Sequence, residues 1–375
     1  MAVSDQPKTT YSDTTAQKRV IADLIDIIDP RDTPVVSYFG LDGDSGKFRL
    51  VNWPGTKMEW LEDTLAGLTD TLAASCTTNA TSLSVTDGSI HKTGDIIEID
   101  AEMMWISDAS ATDNKVTVTR NFGGTQATHA SAATITLINH ARLEGADADY
   151  ERAFSDIVAP YNHTQIFQDD VKVTRSGNKI SQYGIAEEFD YQAAKKIPEL
   201  SRLIEKAFFR GQRKSGSATA PRAFGGLETF ATNNTKSGAS AALVQKDLED
   251  LVQDCWSDGG NPDLIICNSW VKRKISGFYA DSVRTTRDEQ RGGVTISEVE
   301  TEFGVLKILM SRWCPSAKLY VVESQYIGFV AFDPFFQEEL AKTGDSTKGQ
   351  VVGEYGLVVK NGKAHGFMKS ISTTS

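Results

Sequence analysis

The sequence predicts a mixed α+β protein of more than one domain. The chain of 375 residues exceeds the size at which a single hydrophobic core usually stops growing. Short strand-like runs fill much of its first half, and one long amphipathic helical segment, 184–211, precedes alternating helices and strands. With 40% apolar and 24% charged residues, the chain can bury large cores and does not have the composition of a disordered protein.

The net charge and the spacing of the cysteines disfavour several classes of protein. A net charge of -11 disfavours a dedicated nucleic-acid-binding protein, which usually carries a basic face. The chain has no CxxC pair and hence neither a zinc motif nor a disulfide framework, which favours a reducing cytosol. Its polar start lacks a signal-peptide core, and no apolar run approaches the roughly 20 residues of a membrane-spanning helix. We therefore expect a protein that is made and kept in a cytoplasm.

The N-terminal part is predicted to consist of an arm and long extended strands. Residues 1–18 are polar, and an amphipathic helix is expected over 20–28, where Asp29-Pro30 ends it. Alternating apolar and polar residues predict strands in KFRLVNW and TKMEWLED, and again over 156–176. This pattern indicates an extended excursion of the chain rather than a compact core.

A segment of different composition lies between the two extended parts, at about 72–139. It is rich in Thr, Ser and Ala and contains the strand-patterned runs SLSV, DIIEI, MMWIS, KVTVTR and TITLI. Short strands at such spacing, separated by glycine turns, predict a small β-barrel or β-sandwich. Because the extended pattern resumes afterwards, we expect a domain inserted into a hairpin. The alternative is that all these strands continue one sheet.

A long helix is predicted over 184–211. Apolar residues step by three or four from Ile185 to Phe208 and form one stripe. Acidic residues crowd the start and basic residues the end, an order that complements the helix dipole. Pro198 lies inside the helix and removes a backbone hydrogen bond, so we expect either a bend at 194–197 or two abutting helices.

Helices and strands alternate in the C-terminal half. Helices are predicted in LVQKDLEDLVQDCWSDGG and NSWVKRKISGFY, and strands in PDLIICN, VLKILM, KLYVVES and YIGFVAF. A final hairpin is predicted in EYGLVVKNGKAHGFMKSIS, with its turn at Asn361-Gly362. This order places the second half in the α+β or α/β class.

No motif in the sequence specifies catalysis or metal binding. GQRKSGS has Ser217 where a phosphate loop requires lysine. DGDSG resembles the start of a calcium loop, but the twelfth position counted from Asp42, where such a loop requires glutamate, is Trp53. The five histidines include no HExxH and no short paired spacing. Cys255, on an apolar helix face, suits a small core residue better than a nucleophile. We expect no catalytic residue, no metal, no cofactor and no enzyme activity.

One basic cluster lies in VKRKISGFYADSVRTTRDEQRGG, around Phe278 and Tyr279. Its basic residues are Lys272, Arg273, Lys274, Arg284, Arg287 and Arg291. A nucleic-acid surface is one interpretation. Interspersed acidic residues favour the other, a segment that pairs with acidic neighbours at a subunit interface. The arm and the extended strands also favour an assembly protein, since such segments gain stability by packing on neighbouring subunits.

Several runs, in order along nearly the whole chain, resemble a known family. They are DPRDTPVVSYFG, MEWLEDTLA, NHTQIFQDDVKVTRSGNKISQYGIAEEFDYQAAKKIPELSRLIEKAFF, CWSDGGNPDLIICNSWVKRKISGF and ELAKTGDSTKGQVVGEYGLVVKNGKAHG. These runs are similar to the major capsid proteins of tailed bacteriophages, which have the Hong Kong 97-type capsid fold. The resemblance implies a structural protein that assembles as hexamers and pentamers into an icosahedral shell around double-stranded DNA.

The resemblance also implies a domain plan. Its parts are an N-terminal arm at 1–46, an extended loop at 47–71 and 143–178, an inserted small all-β domain at 72–142, a peripheral domain with the spine helix at 179–235 and 326–375, and an axial domain at 236–325. Pro198 departs from the continuous spine helix of the family. The partner of the β insert does not follow from the family.

The implied partners are further copies of the chain, a portal and a separate scaffold or cement protein, with packaged DNA close by in a non-specific way and no membrane. The protein would be found in the virion and, during assembly, in the host cytoplasm. The positions expected to contact other subunits are Trp53, Met58, Trp60, Lys272, Arg273, Arg284 and Arg287.

Alternatives stay open at this point. The apolar members of that set, Trp53, Met58 and Trp60, could equally lie in the chain's own core. An encapsulin-like non-viral shell would share the fold. A cytosolic hydrolase would require a concave pocket with perturbed carboxylates. The β insert could also serve as a carbohydrate-binding module on the particle surface.

Overall fold

The structure is a computed structural model that describes residues 29–41, 55–145, 156–183, 185–278, 284–287, 295–342 and 344–373. The helix expected over 20–28, the strand expected in KFRLVNW and Trp53 lie outside the described residues. The chain divides into two compact units, one made of Met1–Trp60 with Tyr161–Ser375 and the other of Leu61–Pro160.

Six α-helices occur in the described part of the chain, and none of them is long and apolar enough to cross a bilayer. They are α1 (Pro34–Phe39), α2 (Arg175–Lys179), α3 (Glu188–Arg210), α4 (Leu227–Phe230), α5 (Gln245–Ser257) and α6 (Ser269–Phe278). The strands are β1 (Lys57–Glu59), β2 (Thr69–Thr71), β3 (Ser82–Ser84), β4 (Asp95–Ile99), β5 (Glu102–Ser110), β6 (Lys115–Gly123), β7 (Thr134–His140), β8 (Tyr161–His163), β9 (Gln165–Thr174), β10 (Asn234–Ser237), β11 (Leu264–Cys267), β12 (Arg284–Arg287), β13 (Thr295–Thr301), β14 (Gly304–Met310), β15 (Leu319–Val322), β16 (Ile327–Leu340), β17 (Ser346–Val359) and β18 (Gly366–Lys369).

The predicted long helix forms as one continuous helix, α3, with Pro198 inside it. The expectation of two abutting helices is therefore wrong. Phe189 and Ala193 before the proline, and Leu200 and Ile204 after it, are buried in the same hydrophobic core. Packing of both halves on one core keeps the chain helical, although an internal proline costs an isolated helix about 3 kcal/mol.

Two sheets meet α3 in the first unit. One is antiparallel with strand order β16-β17-β9, and α3 packs on β9 and β17. The other is a mixed sheet with strand order β10-β18-β15-β11-β14-β13-β12. The core around Phe208 includes side chains from both sheets, among them Tyr320 of β15 and Leu357 of β17. This mixture of helices with parallel and antiparallel strands is the predicted α+β class.

The closing hairpin predicted at Asn361-Gly362 is wrong. Asn361 does adopt the left-handed conformation of a tight turn, with φ of 50°. The turn, however, carries the chain from one sheet to the other, because β17 pairs with β16 and β9 whereas β18 pairs with β15 and β10. The 14-residue β17 finds partners of similar length in its own sheet, which the four-residue β18 does not offer.

The second unit contains one six-stranded antiparallel sheet with order β2-β7-β4-β5-β6-β3. Each of the five runs predicted between 72 and 139 forms a strand of it, from β3 to β7. The sheet does not continue β1, β8 or β9, so the alternative of a single continuous sheet is wrong. Alternating apolar side chains bury a core of its own around Ile97, Met104 and Val116. Because β2 belongs to the sheet, the sheet begins before residue 72; the predicted domain limits of 72–142 stay a prediction.

Candidate assembly surfaces

The described part of the arm is held by the first unit's core. Pro34 occupies the first helical position of α1, where a missing N–H costs nothing, and Gly40 ends the helix with φ of 70°. Val35, Val36 and the aromatic pair that follows are buried. Phe39 stacks on Phe208 of α3, with ring centroids 5.8 Å apart. The arm is therefore packed on the spine helix at this point.

Glu205 of α3 joins this helix to α1 through hydrogen bonds. The fully buried carboxyl accepts from the Val36 N–H at 3.4 Å through Oε2 and from the Ser311 hydroxyl at 2.5 Å through Oε1. Burial raises the pKa of Glu205 to about 7, although the hydrogen bonds from Ser311 and from the α1 backbone act in the opposite direction. The arm is thus fixed by a carboxyl that titrates near neutral pH.

Residues before α1 extend the contact between the arm and α3. Asp32 pairs with Arg312, with Oδ1 and Nε 3.0 Å apart, and its carbonyl accepts from the Trp313 indole N–H at 2.9 Å. The guanidinium of Arg202 donates to the Pro30 carbonyl at 3.4 Å. A cleft of about 100 Å³ between the arm and the helix is lined by Asp29, Pro30, Arg31, Lys195, Pro198, Glu199 and Arg202. The arm therefore passes beside Pro198.

Met58 and Trp60 lie in the chain's own core, which was the second of the two alternatives for these positions. Met58 is fully buried and Trp60 is 7% exposed. They cluster with Val330 and Val358, and the Trp60 ring lies 5.6 Å from that of Phe230. Little of either side chain is left for a neighbouring subunit.

The described part of the predicted basic cluster is divided between α6 and the edge strand β12, and Arg291 lies outside the described residues. On α6, Arg273 is exposed while Lys272 and Lys274 are partly exposed, and the Lys274 ammonium lies 5.4 Å from the Trp270 ring. The backbones of Arg284 and Arg287 lie on β12, at one edge of the seven-stranded sheet, and their side chains are outside the described residues.

A buried ion network in the second unit was not predicted from the sequence. Arg120 of β6 donates two hydrogen bonds of 2.7 Å to Glu102 of β5, and His129 bridges Glu102 at 3.1 Å and Asp100 at 2.6 Å. Burial opposes ionisation, yet the donors on Arg120, Ala127 and His129 hold the pKa of Glu102 at about 2. With its oxygens paired in this way, Glu102 ties strands together and is not available as a general base.

The buried cysteines and His365 do not form a reactive centre. Burial raises the pKa of Cys255 and of Cys267 to about 12, so both thiols stay protonated and weakly nucleophilic. Burial lowers the pKa of His365 to about 4, and its Nδ1 accepts from the Glu323 N–H. Within the described ranges, no group of three or more His, Cys, Asp and Glu side chains could hold a metal ion.

Comparisons with known proteins give the fold and the family. A family model described as SU10 major capsid protein matches residues 8–372. The major capsid protein of Escherichia phage Phieco32 is 23% identical in an alignment of length 285 that covers 61% of this chain and 81% of that protein. The capsid asymmetric unit of cyanophage A-1(L) has a TM-score of 0.58 at 11% identity, over 97% of this chain and 100% of that one. A structure from Mycobacterium phage Bobi has a TM-score of 0.51 at 12% identity, over 96% of this chain and 98% of that one.

The two solved structures cover nearly the whole of this chain and confirm the predicted Hong Kong 97-type capsid fold. The family model spans the arm, the spine helix, the second unit and the seven-stranded sheet alike. The resemblance found in the sequence runs is confirmed, and the chain belongs to the SU10 major capsid protein family.

Proposed function

We propose that this capsid protein self-assembles as hexamers and pentamers into the icosahedral shell that encloses the double-stranded DNA of a phage. The family match over 8–372 is the observation that carries the proposal. The role is structural, and the chain catalyses no reaction of its own. In support of this, Cys255 and Cys267 are protonated thiols, and Glu205 is covered by α1 rather than open to a substrate.

Exposed apolar side chains on the first unit support contacts between copies. Ile197 and Leu203 of α3 are 44% and 50% exposed, and Phe332 and Phe336 on the edge strand β16 are 39% and 41% exposed. Covering such surface contributes about 25 cal/mol for each Å² removed from water. Contacts of this size are weak singly, but they repeat around a closed shell and add up through its symmetry.

Other partners follow from the same role. A portal occupies one vertex of the proposed shell, and a separate scaffold or cement protein assists its assembly. Packaged DNA lies close to the chain without specific recognition, since a net charge of -11 opposes attraction to phosphates. The protein resides in the virion and passes through the host cytoplasm during assembly.

Negative-stain microscopy of the purified chain, expressed alone, tests the proposal. We expect rings of five or six copies, or closed shells, because the protomer carries its own assembly contacts. A chain that stays monomeric at every concentration and shows hydrolytic turnover would contradict the proposal and favour the hydrolase alternative.

A further inference from the structure

One flank of α5 is acidic and faces the β10 edge of the seven-stranded sheet. The core-facing residues of this helix are Leu248, Leu251, Val252 and Cys255. At 3.6 residues per turn, Asp247, Asp250, Asp254 and Asp258 share one side of that apolar stripe. The Asp254 carboxylate pairs with Lys236 of β10 at 2.7 Å, so this flank lies on the side of β10, the edge strand.

The opposite flank of α5 points along the sheet, away from the β10 edge and towards β13 and β14. Trp256 lies there, and its ring is 5.9 Å from that of Phe303, at the turn between β13 and β14. The acidic flank therefore points away from the part of the sheet that carries α6. Lys236 and Lys246 each pair with one aspartate of the flank, which leaves an excess of negative charge on this side.

The second helix on this face of the sheet, α6, is basic. It carries Lys272, Arg273 and Lys274 and no acidic residue. These three side chains make no ion pair with any residue that the structure describes. Glu298 and Glu300 of the nearby β13 flank Val299, which is buried in the core beneath α6, so alternation along the strand places both acids on the other face.

The two helices lie on the same face of the sheet but towards opposite edges of it. Helix α5 contacts β10 and β18, whereas α6 contacts β14, and the strand order runs from β10 at one edge to β12 at the other. Copies arranged about a rotation axis place one side of each copy against the opposite side of the next. The acidic side of one copy then meets the basic side of its neighbour, and opposite charges across such a contact fix its register.

We propose that the acidic flank of α5 in one copy docks against the basic face of α6 in the next copy, and that this pairing sets the head-to-tail order of each capsomer ring. The occupant of each surface is a second copy of this chain, because the two surfaces are complementary in charge and lie towards opposite edges of the same sheet. The inference rests on the proposed self-assembly and adds the surfaces that carry it.

Charge reversal on each side tests the pairing. Lys272→Glu with Arg273→Glu makes both surfaces acidic, and Asp250→Lys with Asp258→Lys makes both basic. We expect each double variant to lower the sedimentable particle yield by about ten-fold or more, because like charges then face each other in the ring. Lys92→Glu with Lys115→Glu, which reverses as many charges in the second unit, is the matched control and keeps the wild-type yield. Circular dichroism melting confirms that all variants fold.

Recombining the variants separates charge pairing from general damage. The chain with all four substitutions, two in the α5 flank and two in α6, is complementary again, and we expect it to recover closed particles. An equimolar mixture of the two double variants can alternate only around rings with an even number of copies. We therefore expect the mixture to form hexamers and open sheets or tubes but no pentamers, which microscopy distinguishes from closed shells.

The outcomes separate this inference from the proposed function. If wild-type chain forms particles and the two charge-reversal double variants form them equally well, the inference is wrong and the assembly function stands. Failure of the four-substitution chain to recover, or an equal loss in the control, also overturns the inference. Normal assembly with loss of retained nucleic acid in the Lys272 and Arg273 variant would assign α6 to DNA instead. Absence of particles from the wild type contradicts the proposed function itself.

Discussion

Glu205 is a carboxyl in surroundings that its residue type does not suggest, since it is fully buried. The sequence places it on the polar side of a charged helix end, among Lys206 and Arg210, and gives no sign of burial. In the structure α1 covers it, and Ser311, far along the chain, donates to it. Only the tertiary contact creates the raised pKa, which is why no local pattern predicts it.

Replacing this carboxyl changes how stability depends on pH. The pKa of Glu205 is about 7 in the folded chain and near 4.5 when exposed, so its stabilising effect is complete below pH 4.5 and is lost as the pH rises through 7. Glu205→Gln keeps a neutral side chain at every pH. We expect the variant to exceed wild type in free energy of unfolding by roughly 3 kcal/mol at about pH 8 and by less than about 1 kcal/mol at about pH 5. Urea unfolding at the two pH values measures both differences.

The exposed Glu302 provides the control for this prediction. Glu302→Gln removes the same charge without touching a buried site, and its effect is expected to stay below about 0.5 kcal/mol at either pH. A Glu205→Gln effect that is the same at both pH values would show that the carboxyl does not titrate near neutral pH in the folded protein.

At the scale of single elements, the sequence predicts helices better than strand partners. An apolar stripe of period 3.6 reports directly which side of a helix is buried, and α3 and α5 form where it predicts them. The strand runs are also found, but which strands pair depends on distant parts of the chain. The failed hairpin between β17 and β18 shows this, since a correct turn residue, Asn361, joins two different sheets.

The predicted contacts between subunits also depend on distant parts of the chain. Met58 and Trp60 were predicted to face either neighbours or the core, and alternation along the strand cannot decide between them. Val330 and Val358, which cover Met58 and Trp60, come from strands about 270 and about 300 residues further on. The basic residues of α6, by contrast, stand out in the sequence; the places of α5 and α6 over different strands of one sheet do not.

Pro198 leads to a prediction about α3 and the curvature of the particle. We hypothesise that a bend at this proline, beside the arm segment at Pro30, helps the subunit adopt the several positions of a curved shell. Pro198→Ala restores a backbone donor and is expected to stabilise the helix by up to about 3 kcal/mol. We also expect the diameters of the particles to shift or broaden, as measured by microscopy, while unfolding of the protomer moves to higher urea concentration.

Ser201→Ala, one turn further along α3, serves as the control because it leaves the backbone hydrogen bonds unchanged and removes only a side-chain bond to the Ile197 carbonyl. An unchanged helix geometry and an unchanged particle diameter in Pro198→Ala would refute the hypothesis that the proline shapes the shell.

At the scale of the whole molecule, the order of the sequence runs carried more information than any single motif. No residue in the chain specifies a capsid protein, yet the family model extends over 8–372 and two solved phage structures match almost end to end. The function of such a protein lies in the fit between copies rather than in a constellation of reactive groups. The functional residues of such a protein are therefore those on the surfaces through which its copies bind each other, as proposed for α5 and α6.

The contents of natural particles test the central claim most directly. Particles that contain this chain are isolated from the host that produces them, treated with nuclease, imaged by electron cryomicroscopy, and then opened to size the protected nucleic acid. We expect closed icosahedral shells of hexamers and pentamers that enclose double-stranded DNA of uniform, genome length. Shells that enclose a cargo enzyme and no protected DNA would contradict the claim and assign the chain to an encapsulin-like compartment.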